Sequence, residues 1–217
     1  ELNLQELERS YNDATKKGIN VNSLVLINPG NPTGQVLSRE NVQDVIQFCA
    51  QHNLVLLADE VYQDNVYVGT FHSAKKAATD LNADVELVSF HSTSKGVFGE
   101  CGRRGGYMEL HNIDAGVHEQ LYKMASVSLC SSVSGQIMTA LMCRGPQLGD
   151  ESYESFEREK KDILERLKRN SVIVSRGLDQ IEGFSCTRAA GSMYCFPKVH
   201  MPQGAIEYAT SIGESVD

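Results

Sequence analysis

The sequence predicts an α/β fold in which a mainly parallel sheet, sandwiched by helices, leads into a small α/β domain. Short apolar runs alternate with amphipathic helical patterns, as in parallel β–α–β units. These runs are continuous, not mixed with polar residues, which is typical of strands covered on both faces. A long amphipathic pattern over residues 152–178 then precedes a new apolar segment.

The first half of the chain carries the elements of the sheet. Leucines at helical spacing predict a helix over 2–17, which Gly18 ends. Ser38 suits the N-cap of a helix that extends to about His52. Four apolar runs predict buried strands over residues 24–27, 54–58, 85–90 and around 105–108.

The second half is predicted to be mostly helical. Residues 113–127 form a helical pattern, and the charge run in the first half of the 152–178 helix indicates a solvated face. The apolar segment 191–197 predicts a strand. The chain therefore divides into a large domain, a long connecting helix and the start of a small domain, over residues 1–150, 151–182 and 183–217.

Composition excludes some functional classes. The 217 residues carry a net charge of −8, which argues against nucleic acid as a partner because phosphate backbones need a basic face. No apolar stretch approaches the roughly 20 residues of a membrane span. The six cysteines are scattered without a C-x-x-C pair, which favours buried thiols in a reducing compartment over a zinc site.

The most constrained segment is the loop at residues 28–34, directly after the first strand. It has two prolines, two glycines and two asparagines in seven residues, so its path is over-determined. A rigid loop at the carboxyl end of a buried strand is where α/β folds hold ligands. The alternative interpretation is a tight surface turn.

Acidic and phenolic side chains follow the second strand. Asp59 and Glu60 come directly after it, and Tyr62 lies close enough to return to the same crevice. Burying a carboxylate at this position costs free energy unless a positive group pairs with it. The carboxylate therefore predicts a positively charged ligand partner. The alternative is a helix cap or a surface salt bridge.

A lysine and two arginines follow the third strand. Lys95 comes after three hydroxyl residues, which is consistent with a phosphate cradle, a nucleophilic amine or an exposed loop lysine. Arg103 and Arg104 favour an anion such as a phosphate or a carboxylate. A ligand that matches the side chains after all three strands has a protonatable ring nitrogen, a ring hydroxyl, an aldehyde and a phosphate. Pyridoxal 5′-phosphate has these groups.

Three motifs in order, Asn-Pro-Gly-Asn-Pro-Thr-Gly, Ala-Asp-Glu-Val-Tyr and Ser-Thr-Ser-Lys, resemble the pyridoxal-phosphate-dependent fold-type I enzymes, the aspartate aminotransferase-like family. Residues 57–67, 89–96, 99–102 with 104–107, and 133–136 resemble its alanine aminotransferase branch, although Arg103 stands where a tyrosine is usual. The resemblance implies that residues 1–150 are the second half of the cofactor-binding large domain. The family's ring-stacking aromatic residue and its substrate-carboxylate arginine have no counterpart here, so we expect this part alone to be inactive.

The resemblance implies roles for individual residues. Lys95 would attach to the cofactor aldehyde and act as the proton-transfer base. Asp59 would pair with the ring nitrogen and keep it protonated. Asn31 and Tyr62 would hydrogen-bond the ring 3′-oxygen.

The resemblance also implies a phosphate site. Ser92 and Arg104 would hold the phosphate, with Arg103 as the alternative if the register differs by one residue. Ser131 and Ser132 stand where the branch usually has two prolines, which alters a loop expected near the dimer interface.

The implied activity is transfer of the amino group of L-alanine to 2-oxoglutarate, giving pyruvate and L-glutamate. The alternatives are another class I/II aminotransferase, glutamate–glyoxylate or aromatic, and a non-catalytic regulatory domain that binds the cofactor. The implied partners are small amino acids and 2-oxo acids and, at full length, a second copy in a homodimer. The implied compartment is the cytoplasm or the mitochondrial matrix.

Overall fold

The computed structural model describes residues 2–215 and contains two separate sheets. The strands are β1 (Ser23–Ile27), β2 (Val55–Asp59), β3 (Leu87–Ser92), β4 (Gly106–His111), β5 (Phe184–Cys186) and β6 (Pro197–Val199). The main sheet has the order β1-β2-β3-β4, with β1 to β3 parallel and β4 antiparallel to β3. The second sheet pairs β5 with β6 antiparallel. The predicted mainly parallel α/β sheet is therefore confirmed.

Helices occupy most of the remaining chain. They are α1 (Leu4–Lys16), α2 (Arg39–Gln51), α3 (Ala74–Leu81), α4 (Ala115–Val127), α5 (Val133–Cys143), α6 (Tyr153–Asp179) and α7 (Gln203–Ser211). The predicted N-cap of α2 is confirmed, because the Ser38 Oγ accepts a hydrogen bond from the Asn41 N–H at 3.1 Å. Sequence reasoning did not predict α3, α5 or α7. None of the helices described here is both long and apolar enough to cross a membrane.

The hydrophobic core lies between the main sheet and helices α2 and α3. Its buried side chains come from residues 26–87, and α1 packs against it with partly buried Leu4, Leu7 and Tyr11. Leu56 in β2 is 0% exposed, whereas Val25 in the edge strand β1 is 64% exposed. Full burial of one such side chain is worth about 1.5–3 kcal/mol, so this layer anchors the strand ends that follow it.

The predicted strand at 191–197 is wrong, because the strand of this region begins only at Pro197. Residues 189–195 are a loop, and its residues 190–192 form backbone hydrogen bonds with other loops. The N–H groups of Ala190 and Gly191 both donate to the Gly34 carbonyl, and the Ser192 N–H donates to the Asn65 carbonyl. This segment thus packs against the loops of the main sheet, not against a neighbouring strand. The domain division at 150 and 183 remains a prediction.

Candidate functional site

The carboxyl ends of the three parallel strands meet at one edge of the main sheet. Asp59 at the end of β2 lies in register with Ile27 of β1 and Phe90 of β3. Backbone hydrogen bonds continue past the strands, from the Asn28 N–H to the Asp59 carbonyl and from the Glu60 N–H to the Phe90 carbonyl, both at 3.1 Å. The loops that carry the candidate residues therefore start from a common, rigid base.

The loop at residues 28–34 is braced by Asn28, which is buried. The Asn28 Oδ1 accepts a hydrogen bond from the Leu37 N–H at 3.0 Å, and the Gly30 N–H donates to the Gln35 carbonyl at 2.9 Å. Asn31 is exposed, and its side chain has no hydrogen-bond partner within residues 2–215. The amide of Asn31 is thus free to meet a ligand, and its cofactor contact remains a prediction.

The two carboxylates after β2 have different environments. Asp59 is partly exposed, and within the described residues the only hydrogen bond of its carboxylate is from the Val61 N–H to Oδ1 at 3.3 Å. The Glu60 Oε1 instead accepts from the Ala74 N–H at 2.7 Å, at the start of α3. Burial raises the pKa of Glu60, and the hydrogen bond from Ala74 partly offsets this. The helix-cap interpretation therefore applies to Glu60, while Asp59 is left open to the crevice.

Lys95 and Tyr62 lie together at this edge. The Lys95 Nζ is 5.9 Å from the centroid of the Tyr62 ring, at the outer limit of a cation–π contact. Lys95 is partly exposed, and its amine has no carboxylate partner within residues 2–215. An amine that is held by packing alone can reach a ligand without breaking an ion pair.

Tyr194 is a neighbour of this site that sequence reasoning missed. Its hydroxyl lies 2.7 Å from the Tyr62 hydroxyl, and the two rings pack edge to face at 5.7 Å. Burial and, after it, the hydrogen bond with Tyr194 raise the pKa of Tyr62. The two tyrosines are 132 residues apart, so no local pattern signals the contact.

His91 is a second neighbour that sequence reasoning missed. It is buried, and its ring meets Tyr107 edge to face at 5.9 Å. Burial lowers the pKa of His91, although the charges of Asp64 and Asp59 oppose the shift. Its Nδ1 has no hydrogen-bond partner among the described atoms. A buried imidazole at this edge is consequently neutral near pH 7.

Ser92 and Arg104 are close in the backbone but not through their side chains. Ser92 is the register partner of Gly106, two residues after Arg104, and its Oγ accepts from the Ser94 N–H at 3.3 Å. The Arg104 guanidinium donates to the Cys101 carbonyl at 2.9 Å and forms no hydrogen bond with Ser92 in the part of the chain described. The phosphate roles of both residues remain predictions.

The turn that carries Arg104 is held by a close backbone approach to α5. A Cβ on Gly105 would lie 2.5 Å from the Gly135 carbonyl oxygen, so only glycine fits. Arg104 itself adopts a positive φ of 56°. Arg104 lines a pocket of about 410 Å³ together with Thr139 of α5 and Arg144, the residue after this helix. Two arginines therefore line one cavity next to the β3–β4 connection.

Within residues 2–215, no group of three or more His, Cys, Asp and Glu side chains is placed to hold a metal ion. The donor set at the sheet edge is instead a carboxylate, a phenol, an amine and hydroxyl groups. Such a set suits an organic ligand with both acidic and basic groups.

Comparison with known proteins finds relatives among the aminotransferases. The chain is 54% identical over 213 residues to an alanine aminotransferase of Arabidopsis thaliana described as mitochondrial, covering 96% of this chain and 39% of that protein. It is 43% identical to glutamate–glyoxylate aminotransferase 1 of the same plant, covering 100% of this chain and 46% of that protein. It thus spans less than half the length of these relatives.

Structural comparison and a family model point the same way. The alanine aminotransferase of Pyrococcus furiosus superposes with a TM-score of 0.73 at 25% identity, over 88% of this chain and 46% of that one. The family model for aminotransferase class I and II matches residues 1–209. This match covers nearly the whole chain, which therefore belongs to the class I and II aminotransferase family.

Proposed function

We propose that the full-length protein is a pyridoxal-phosphate-dependent transaminase that moves the amino group of L-alanine to 2-oxoglutarate. The observation that carries the proposal is the placement of the unpaired Lys95 amine over the Tyr62 ring, at the sheet edge that also holds Asp59. Identity of 54% to an alanine aminotransferase supports the choice of alanine.

The residues at this edge fit the cofactor of the family, pyridoxal 5′-phosphate. Asp59 offers a carboxylate that is not already paired with a cation, as a protonated ring nitrogen requires. Tyr62 offers a phenol, and Asn31 an uncommitted amide, for the ring oxygen. Ser92 offers a hydroxyl for the phosphate, and Arg104 offers a guanidinium if its side chain turns from Cys101.

Each residue then has a defined task. When bound, the cofactor supplies an electron sink for the carbanion formed at the substrate α-carbon. Lys95 would anchor the cofactor and, with its amine released, would serve as the base that moves the proton of the substrate α-carbon. Asp59 keeps the ring nitrogen protonated, and Tyr62 donates its hydroxyl hydrogen to the ring oxygen. Because the strands fix the backbone, these groups need little rearrangement between steps.

Covalent attachment tests the role of Lys95. In the full-length protein, borohydride reduction and peptide mapping should find the cofactor mass on the peptide that contains Lys95. Lys95→Arg, which keeps the charge but cannot attach the cofactor, should lose this label and lower transamination by at least about 10²–10⁴-fold, the range for a general base. Lys168→Ala, on the exposed face of α6, is the control and should change neither. A label on another lysine, or activity retained in Lys95→Arg, would refute the proposal.

Glutamate–glyoxylate transamination is the second candidate, because the chain is also 43% identical to an enzyme of that name. Initial rates with alanine, glutamate and aromatic amino acids, each against 2-oxoglutarate and glyoxylate, separate the candidates. Alanine with 2-oxoglutarate should have the highest kcat/KM. A higher value for glutamate with glyoxylate would replace the substrate assignment without affecting the transaminase mechanism.

We further propose that the full-length protein acts as a homodimer in the cytoplasm or the mitochondrial matrix. Apolar side chains on α4 and α5, such as Met124 and Ile137, are exposed in this chain and are suited to burial against further protein. Sedimentation equilibrium of the full-length protein should give twice the monomer mass. A monomer at micromolar concentration would contradict the assembly.

A further inference from the structure

A pair of cysteines lies at the small sheet, one at the end of β5 and one just before β6. Cys186 is the last residue of β5, and Cys195 stands two residues before Pro197, the register partner of Cys186. Their Sγ atoms are 3.0 Å apart. Both thiols are free, and a bonded pair would be about 2.0 Å apart, so a shift of about 1 Å brings them to bonding distance.

The backbone around the pair is anchored on both sides. The Cys186 N–H donates to the Asp179 Oδ1 at 2.6 Å, at the end of α6. On the other side, the Ser192 N–H donates to the Asn65 carbonyl, and the Tyr67 hydroxyl donates to the Ser192 carbonyl. These contacts hold the two thiols as neighbours, so their encounter does not require a loop to be ordered first.

We propose that Cys186 and Cys195 are a redox modification site that forms a reversible disulfide with a low-molecular-weight disulfide, such as oxidised glutathione, as the oxidant. The inference does not rest on the proposed transaminase function. It concerns a pair of side chains that the candidate catalytic groups do not include.

The exchange proceeds in two balanced steps. Cys195, the more exposed thiol, attacks one sulfur of the external disulfide as its thiolate and releases one external thiol. Cys186 then attacks the Cys195 sulfur and releases the second external thiol. The two cysteines lose two protons and two electrons, and the external disulfide takes up both to become two thiols.

The surroundings set the rate of the first step. Burial and the hydrogen bond with Cys186 raise the pKa of Cys195 to about 11, so little thiolate exists at pH 7. The reaction should therefore be slow at neutral pH and accelerate roughly tenfold per pH unit towards pH 9, because only the thiolate reacts. Tyr194, directly before Cys195, touches Tyr62, so the disulfide would constrain a segment that contacts the candidate site.

Equilibration with glutathione tests the proposal in the full-length protein. After incubation with oxidised glutathione at pH 8, acid quenching, alkylation and digestion, mass spectrometry should find the Cys186 and Cys195 peptides joined, about 2 Da lighter than the two thiols. The exposed Cys101 serves as an internal control and should carry glutathione instead. Excess dithiothreitol should restore every thiol.

Variants distinguish a specific pair from general oxidation. Cys195→Ser should abolish the joined peptides and leave buried Cys186 reduced, whereas Cys143→Ser should leave the joined peptides unchanged. Two outcomes at equilibrium in the unaltered protein would overturn the proposal: glutathione that stays on Cys195, or a Cys195 that remains a thiol.

Discussion

The sheet region and the α4–α5 region of this chain differ in what covers their apolar side chains. The sheet region, from β1 to β3 with α2 and α3, encloses a continuous core. In α4 none of the described residues is buried, and in α5 only Gly135 is. Large apolar side chains such as Tyr122 and Leu129 are exposed there.

This difference shows that a helix can be specified locally without possessing a core of its own. Asp114 caps α4 through hydrogen bonds to the N–H groups of Gly116 and Val117, so the helix begins where its sequence dictates. Its stability, however, depends on burying apolar surface, which residues 2–215 do not provide. The sheet region, in contrast, contains both the local signals and the packing.

The largest expected effect contrasts one leucine from each region. Leu56→Ala should lower the free energy of unfolding by about 2–5 kcal/mol, because Leu56 is 0% exposed and its truncation leaves a cavity in the core. Leu129→Ala, at a position 90% exposed, should change it by less than about 0.5 kcal/mol in this chain. Urea denaturation followed by circular dichroism measures both. Equal losses would contradict the contrast; a larger cost of Leu129→Ala at full length would show that further protein covers it.

A smaller effect is expected from a buried hydrogen bond. Asn28 is 2% exposed, and its side chain accepts a hydrogen bond from the Leu37 N–H. Asn28→Ala removes this acceptor and should lower the free energy of unfolding by about 1–3 kcal/mol. Gln136→Ala removes an exposed hydrogen bond to the Ser131 carbonyl in α5 and should cost less than about 0.5 kcal/mol. The same denaturation experiment applies, and a tolerated Asn28→Ala would show that the loop after β1 is not braced by this side chain.

The contact between Tyr62 and Tyr194 links the sheet region to the C-terminal segment. Tyr194→Phe should cost about 0.5–1.5 kcal/mol and lower the pKa of Tyr62, because the hydrogen bond that raises that pKa is lost. Tyrosine ionisation measured by ultraviolet titration checks the shift. Tyr208→Phe, at a position 67% exposed in α7, is the control. An unchanged titration of the remaining tyrosines in Tyr194→Phe would mean that the two hydroxyls do not interact.

The smallest effect concerns the buried carboxyl group of Glu60 in the sheet region. Burial raises the pKa of Glu60, so the folded protein holds this proton at a pH where the unfolded chain has lost it. The free energy of unfolding should therefore fall as pH rises from about 4.5 through the folded pKa, by at most about 1.4 kcal/mol per pH unit. Glu60→Gln keeps an acceptor for the Ala74 N–H and should flatten this part of the stability–pH profile. An identical slope in the variant would exclude Glu60 as its source.

Elements with strong local signals were predicted closely. The Ser38 cap and apolar face placed α2 within about a residue at each end, and the 113–127 pattern matches α4. The segment 191–197 was misread because its composition suits a strand, while its backbone partners are Gly34 and Asn65 in distant loops. Short α3 and α7 lack a long enough apolar repeat to stand out.

At the candidate site, the sequence by itself determined which chemical groups follow each strand, because parallel strands must end at one edge. Only the tertiary structure decided which partner each of these groups contacts. Glu60 turns to the start of α3, the Arg104 guanidinium bonds to Cys101, and the Tyr62 hydroxyl meets Tyr194. The pairing of Tyr62 with Tyr194, 132 residues further on, depends on where a long helix and a loop return in space, and no local propensity encodes a contact between residues so distant in the chain.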